Sequence, residues 1–492
     1  MSQISVNRAE RPGRKGTVRR YGLAYALFVA VPIAAAVIVA AFSSHSLAHH
    51  AGSLAAQAST NAVDRVLVAV TAVVALAAAC GALARRLGQP AVVGELVGGV
   101  ALGPSLLGAI APSLQHWLFP TTAMPSLSVL AQLGVILFMF LIGAELAPGT
   151  LRRSGGRAVV IGHGSMAPAL LCGIVVALGL RGRYPSAQSG TVPFLLFIGL
   201  CFAITAFPVL ARVLDEEKLI RTRIGTTGIA AAGIGDITAW CLLALVVAVV
   251  RQASPGAAAG ALGLVAVFAL VMVTVVRPLV ARVIDWVERS EPENGGVARK
   301  AAVSSGLVCL VLACGLATNA MGVHAIFGAF LAGVVMPRDN KLIKDVTGQV
   351  EGVVLWVLLP LFFMTVGLQT NLRSMTAVSW LVCLIVVAIA VAAKFGGTSG
   401  AAAAVGERGR TALALGAMMN CRGLTELIVL QLGLQLGVLT PALFSIFVLM
   451  TLVTTAMTGP LLRWLLPPEE RAVIAFGESL DEFELTPEPE IA

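Results

Sequence analysis

Charge is what this chain has least of. Only 12% of its 492 residues are Asp, Glu, Lys or Arg and 6% are aromatic, whereas 58% are hydrophobic and the mean hydropathy is +0.92. Soluble domains carry about 25% charged residues, so a soluble globular protein is excluded and a bilayer is the solvent that suits the chain. The eight cysteines (Cys80, Cys172, Cys201, Cys241, Cys309, Cys314, Cys383 and Cys421) lack C-x-x-C or metal-ligand spacing and all fall in apolar runs, so they read as small core residues. Walker and Rossmann fingerprints are missing, and no stretch has the length and polarity of a nucleotide-binding module. Neither ATP nor a cofactor is therefore expected, and energy must come from a gradient. No nucleophile, base and orienting group stand together at recognisable spacing, which argues against an enzyme.

What the chain has in abundance is long apolar runs. Crossing roughly 30 Å of hydrocarbon takes about 20 apolar residues. Fourteen such runs are read, at 22–43, 63–84, 90–109, 126–147, 157–180, 192–213, 222–250, 257–276, 301–320, 323–337, 350–370, 377–403, 411–435 and 440–464. Most of the 34 Lys and Arg residues fall in alternate connecting segments, and the other set of loops holds only Arg65, Arg181, Arg183, Arg251 and Arg373. By the positive-inside rule both termini are cytoplasmic, in a multi-pass protein of the plasma membrane. The net charge of +9 thus reflects topology, and no nucleic-acid partner is expected.

Five segments follow. Residues 1–21 form a basic cytoplasmic head and 22–43 an extra transmembrane helix; an uncleaved anchor fits better than a signal peptide, because the run is long and no clear A-x-A site follows. Residues 44–62 form an external linker, 63–465 the membrane domain and 466–492 an acidic cytoplasmic tail.

Polar residues inside apolar runs mark the chemistry. Asp236, in "AAGIGDITAW", is the one charged residue between Ile224 and Val250, and a carboxylate at that depth costs about 2.5–3.5 kcal/mol on insertion scales unless it faces protein or water. Steps of three and four along the helix from it meet Gly225, Gly228, Ala232 and Ala239, a stripe open to close approach by another helix. Asp236 is either a structural acid bonded to a neighbouring helix or a carboxylate that alternates between a proton and a cation. In "CFAITAFPVLARVL", Pro208 removes a backbone donor from the middle of an apolar run; the result is a packing kink or a helix break that offers Thr205 and nearby carbonyls to a small cation. In "MNCRGLTELIVL", Asn420, Arg422, Gly423 and Glu426 share one run, with Arg422 and Glu426 one helical turn apart, placed to pair with each other or with freed backbone groups. Lys394 lies too deep in its run to snorkel. His163 and His324 read as satisfied core histidines, and the Gly94–Gly98 and Gly99–Gly103 spacings as close helix packing. Broken polar helices in corresponding places of two halves point to a secondary transporter of inverted repeats.

The motifs "ITAFPVLARVL", "GIGDITAW", "VHAIFGAFLAGVVMP", "LPLFFMTVGLQTNL", "AKFGG" and "MNCRGLTELIVL", in this order, closely resemble the Kef-like monovalent cation:proton antiporter family, which includes bacterial sodium/proton antiporters and plant cation/proton exchangers. The resemblance covers roughly Val63 to Trp464. It implies an all-α core of about thirteen helices in two inverted repeats joined by one helix, with discontinuous crossing helices, a dimer domain and a mobile ion-binding domain. The helix at 22–43 would be additional. The family's membrane aspartate falls on Asp236, its broken helices on Thr205–Pro208 and Asn420–Gly423, and its membrane lysine on Lys394. One departure is clear: the family commonly has Asp or Asn just before the aspartate, and this chain has Gly235. In members with two acids the first is thought to pair with the lysine, so Lys394 lacks that partner.

The expected activity is exchange of Na⁺ or K⁺ for H⁺ by alternating access around Asp236, in a homodimer. The rivals are a passive cation channel and a proton-coupled exporter of an organic cation on the same scaffold.

Overall fold

Hydrocarbon offers no hydrogen bonds, so an apolar run that crosses it must satisfy its backbone internally, and the chain does so with helices. The computed structural model describes residues 60–466, except 146–154, 186–189, 221, 252–254, 291–295 and 338–339. The basic head, the helix expected at 22–43, most of the linker and the acidic tail lie outside the described residues. Among the described residues, twelve helical spans are long and apolar enough to cross a membrane, and Ala325–Val334 adds a shorter one.

The first six crossings are α1 (Thr60–Arg86), α2 (Ala91–Leu102), α3 (Met124–Glu145), α4 (Gly155–Arg181), the pair α5 (Thr191–Ala203) and α6 (Phe207–Glu216), and α7 (Arg223–Arg251). A linking helix follows, α8 (Pro255–Val271) running through a π-helical turn at Met272–Val276 into α9 (Arg277–Ser290). It extends well past the run read at 257–276. The last six are α10 (Gly296–Ala320), α11 (Ala325–Val334), α12 (Lys341–Val353) continuing through a second π turn into α13 (Leu359–Gln369), α14 (Ala377–Ala404), the pair α15 (Arg410–Met419) and α16 (Leu424–Gln435), and α17 (Pro441–Leu465). Six crossings plus one linker is odd, so the second half enters from the opposite face.

Glycine contacts confirm the inversion. Gly94 of α2 sits on the backbone of Cys80 in α1, and Gly328 of α11 sits on the backbone of Cys314 in α10. Gly99 meets α13, where an added Cβ would lie 2.6 Å from the Met364 carbonyl oxygen; Gly333 meets α3, where a Cβ would lie 2.9 Å from the Gly143 carbonyl carbon. Each half's short second helix thus packs on the other half's third crossing. Gly88 and Gly322 both turn the chain between helices with positive φ, +69° and +87°. The sequence carries the same element twice, C-G-x₆-G-x₂-A-x₂-G-x₄-G from Cys80 to Gly99 and from Cys314 to Gly333. The Gly94, Gly98, Gly99 and Gly103 spacings are packing contacts, as their pattern predicts.

Helices α1, α2, α3, α10, α11 and α13 form one bundle, and α4, α5, α6, α7, α14, α15, α16 and α17 the other. In the second bundle the two broken crossings meet at their breaks. Where α5 stops, the carbonyls of its last turn need donors. Arg422 donates to the Cys201 carbonyl and, at 2.7 Å, to that of Phe202, and Lys394 Nζ donates to that of Ala203 at 2.5 Å. On the other break, the Ala206 N–H donates to the Cys421 carbonyl at 3.1 Å and the Thr205 hydroxyl to the Met419 carbonyl at 3.2 Å. The Thr455 hydroxyl of α17 donates to the Arg422 carbonyl at 2.6 Å. The interruption on this side is at Ile204–Ala206, ahead of Pro208, which occupies the first turn of α6 where a missing N–H costs nothing. Gly423 has φ +156°, and a Cβ there would strike Val209, so the second break requires glycine.

Of the cysteines, Cys201, Cys314, Cys383 and Cys421 are buried, but Cys241 and Cys309 are exposed on the outer surface of the helices, where an apolar thiol suits lipid as well as a core. The Gly94, Gly99, Gly328 and Gly333 contacts and the Arg422 bonds make two predictions. Gly99→Val should lower the unfolding temperature in detergent, whereas Gly260→Val, with nothing within 4 Å, should not. Arg422→Ala should cost about 3–5 kcal/mol of stability, because Glu426 and two carbonyls are then stranded; a variant of normal stability with altered ion preference would move Arg422 into the ion site.

Candidate functional site

Asp236 is 2% exposed, on the face of α7 that looks toward the crossing. It lines a narrow crevice with Ile204 at the first break, Ala239, Trp240 and Leu243 on its own helix, and Thr425 and Val429 on α16. Its Oδ1 makes no hydrogen bond, and the indole nitrogen of Trp240, four residues on in the same crevice, also lacks a hydrogen-bond partner. The small-residue stripe is used: Gly228 lies against Met418 of α15.

Lys394 is fully buried on α14 and close enough to Asp236 for their charges to interact. Its ammonium is not left bare by the missing acid at 235. Beyond the Ala203 carbonyl, it donates to the Thr205 hydroxyl at 2.5 Å and to the Ser165 hydroxyl of α4 at 3.4 Å. Thr205 therefore joins the lysine to the second break, since it accepts from Lys394 and donates to Met419. At Gly235 a Cβ would meet only Met166 Sδ, at 3.5 Å, so the structure leaves an ordinary side chain's first atom room there.

Arg422 and Glu426 form an ion pair of 3.0 Å with both side chains fully buried. Glu426 Oε1, the Asn420 amide and the Thr425 hydroxyl are buried without hydrogen-bond partners. The crossing thus gathers Asp236, Thr205, Lys394, Asn420, Gly423, Arg422 and Glu426, with Pro208 a turn away. Oxygens that lack donors at Asp236 and Thr425, on two facing helices, are what a small dehydrated cation would bind.

Thr425, Trp240 and Ser165 were missed in the sequence reading. Thr425 and Ser165 carried a signal, a hydroxyl within one or two residues of a glycine inside an apolar run ("RGLTEL", "GHGSMAP"). Of the histidines, His324 caps α11, its Nδ1 accepting from the Ile326 N–H at 3.4 Å. His163 is satisfied, by the Val159 carbonyl at 3.0 Å and the Thr238 hydroxyl at 3.2 Å, but it is exposed and not in the core.

Comparison with known proteins identifies the family and the fold. The family described as sodium/hydrogen exchanger, transmembrane, matches residues 66–467. The Na⁺/H⁺ antiporter NhaS4 of Synechocystis is 38% identical over 415 residues, covering 83% of this chain and 98% of that protein. Cation/H⁺ antiporter 20 of Arabidopsis thaliana is 39% identical over 411 residues, 80% of this chain and 48% of the plant protein, and K⁺/H⁺ antiporter 1 of Saccharomyces cerevisiae is 32% identical over 396 residues, 78% and 44%. The chain therefore spans about half the length of those two eukaryotic proteins. Among solved structures, the sodium proton antiporter MjNhaP1 of Methanocaldococcus jannaschii shares the fold, with a TM-score of 0.54, 15% identity, and coverage of 82% of this chain and 96% of that one. Six ordered motifs, two inverted halves and a match over nearly the whole helical domain lead to one conclusion: this chain belongs to the transmembrane sodium/hydrogen exchanger family.

Proposed function

We propose that the protein exchanges a monovalent cation, Na⁺ or K⁺, for H⁺ by alternating access, with Asp236 as the shared site. The observation that carries this is a buried carboxylate with one unpartnered oxygen, in a crevice that α7 forms with the two interrupted crossings. A charge so placed needs a proton or a cation as its partner, and the two compete. Thr425 would supply a second oxygen to the cation. Lys394 holds the first break through Ala203 and Thr205, and Arg422 with Glu426 holds the remainder. Family membership favours exchange over a passive channel or an exporter of organic cations.

Gly235 bears on stoichiometry. With glycine in place of a second acid, and the Lys394 ammonium committed to the helix break, Asp236 carries either one proton or one cation, giving an electroneutral one-for-one cycle.

Orientation has support in the loops. Arg463 of α17 binds Glu217 through 2.6–3.0 Å contacts and reaches the Gly88 carbonyl at 3.3 Å, so the ends of α1, α6 and α17 share a face with the basic pair Arg85 and Arg86. We assign that face to the cytoplasm of a plasma membrane. Exposed Leu67 on α1 and Leu264, Val267 and Leu270 on α8 leave apolar surface for lipid and for the second copy of a homodimer.

Asp236→Asn should abolish cation-dependent proton movement in proteoliposomes while leaving the protein folded in the membrane; coupled exchange by that variant would overturn the assignment. For the neutral cycle, a membrane potential imposed with equal ion concentrations on both sides should leave internal pH unchanged. Potential-driven proton flow that requires Na⁺ or K⁺ would instead show that Lys394 carries a second proton.

A further inference from the structure

Between the two bundles lies a second cavity that the crevice at Asp236 does not include. It is lined by Gln132 of α3, His324 and Ile326 at α11 and Phe362 of α13 on one side, and by Gln431 and Gln435 of α16 on the other. It measures about 20 Å³, on the scale where one water needs about 10–15 Å³. Three glutamines and His324 are among its lining residues in a wall that is otherwise apolar, and Gln431 Oε1 is buried without a hydrogen-bond partner.

Its position relative to Asp236 follows from α16 and α11. Thr425 and Val429 line the inner crevice, and Ile428, Gln431 and Gln435 line this cavity, so the two adjoin different faces of one helix; from Thr425 to Gln431 the helix rises about 9 Å, and the two side chains leave it about 120° apart. Next to Ile326, Phe327 makes an edge-on contact with Trp240, ring centroids 5.8 Å apart. Trp240 belongs to the Asp236 crevice and Phe327 to the opposite bundle. The aromatic pair is thus a contact between the bundles at the edge of the Asp236 crevice. The cavity is at the α16 end that leads to Thr440, opposite the Arg463 face.

We propose that this cavity is a second, weaker cation station on the path to Asp236, with Gln431 as its central ligand. The assignment deepens the exchange reading and rests on it for the identity of the ion. Amide oxygens are hard neutral ligands that can replace part of the hydration shell of an alkali cation. Among its lining residues there is no carboxylate, so nothing there can match Asp236 in strength. That difference suits a station from which the ion must move on: binding has to be favourable enough to enter and weak enough to leave.

Sodium-NMR relaxation, which reads weak binding, tests this on the full-length purified protein. Asp236→Asn should retain excess Na⁺ relaxation, reversed by adding K⁺. Adding Gln431→Leu to that background should weaken the residual binding about fivefold, the effect of one ligand worth about 1 kcal/mol, and Gln132→Leu should act in the same direction. Gln431→Glu should tighten it. An unchanged unfolding temperature of each double variant, relative to Asp236→Asn, shows that the fold is intact. Loss of all excess relaxation in Asp236→Asn alone, or its persistence undiminished in both leucine variants, would overturn the station. Neither outcome touches the role of Asp236 in exchange, which the transport of Asp236→Asn decides separately.

Discussion

Two interrupted helices can cross inside a bilayer only if the backbone groups released at the breaks find partners, and here two buried cations provide most of them. The three carbonyls at the end of α5 go to Arg422, Arg422 and Lys394. Those carbonyls are also the negative end of a helix, so the charges complement it. Removing either cation would leave acceptors unpaired in a medium without water. The position of Asp236 depends on this arrangement, since its crevice is bounded by Ile204 on one break and Thr425 just beyond the other.

The same bonds limit what Lys394 can do. A lysine paired with a carboxylate would have its charge tied to cation binding. This one is tied to the Ala203 carbonyl and two hydroxyls, which are neutral at every pH. With glycine at 235 the lysine's hydrogen-bond partners are neutral, and the packing at that position is open, because Gly235 has only Met166 nearby.

The bundle of α1, α2, α3, α10, α11 and α13 is held by a different principle. Its helices come together at glycines, Gly94 on Cys80, Gly99 on Met364, Gly328 on Cys314 and Gly333 on Gly143. Small residues let backbones touch, and dispersion does the rest. The crossing bundle, by contrast, has its polar contacts at its centre. Between them lie mainly side-chain contacts such as Trp240 on Phe327, which a shift of one bundle can break and remake.

Much of this was legible in the sequence, because a bilayer makes hydropathy decisive. The thirteen crossings from residue 63 onward were readable from run length alone, and the charged residues at the crossing from their cost in hydrocarbon. The family followed from six ordered motifs. The repeat of C-G-x₆-G-x₂-A-x₂-G-x₄-G was also present, but spaced glycines show what they are for only when the facing backbones are known. Pairing was not legible. Nothing in the order of residues says that Arg422 reaches back to Cys201 and Phe202, that Thr205 binds Lys394, that Pro208 follows the break instead of making it, or that Thr425 and Trp240 face Asp236. The sequence by itself determined which residues must be kept from lipid; the tertiary structure decided which of them satisfy one another and which oxygens stay free for an ion, because hydrogen bonds depend on distances between segments that the chain places hundreds of residues apart.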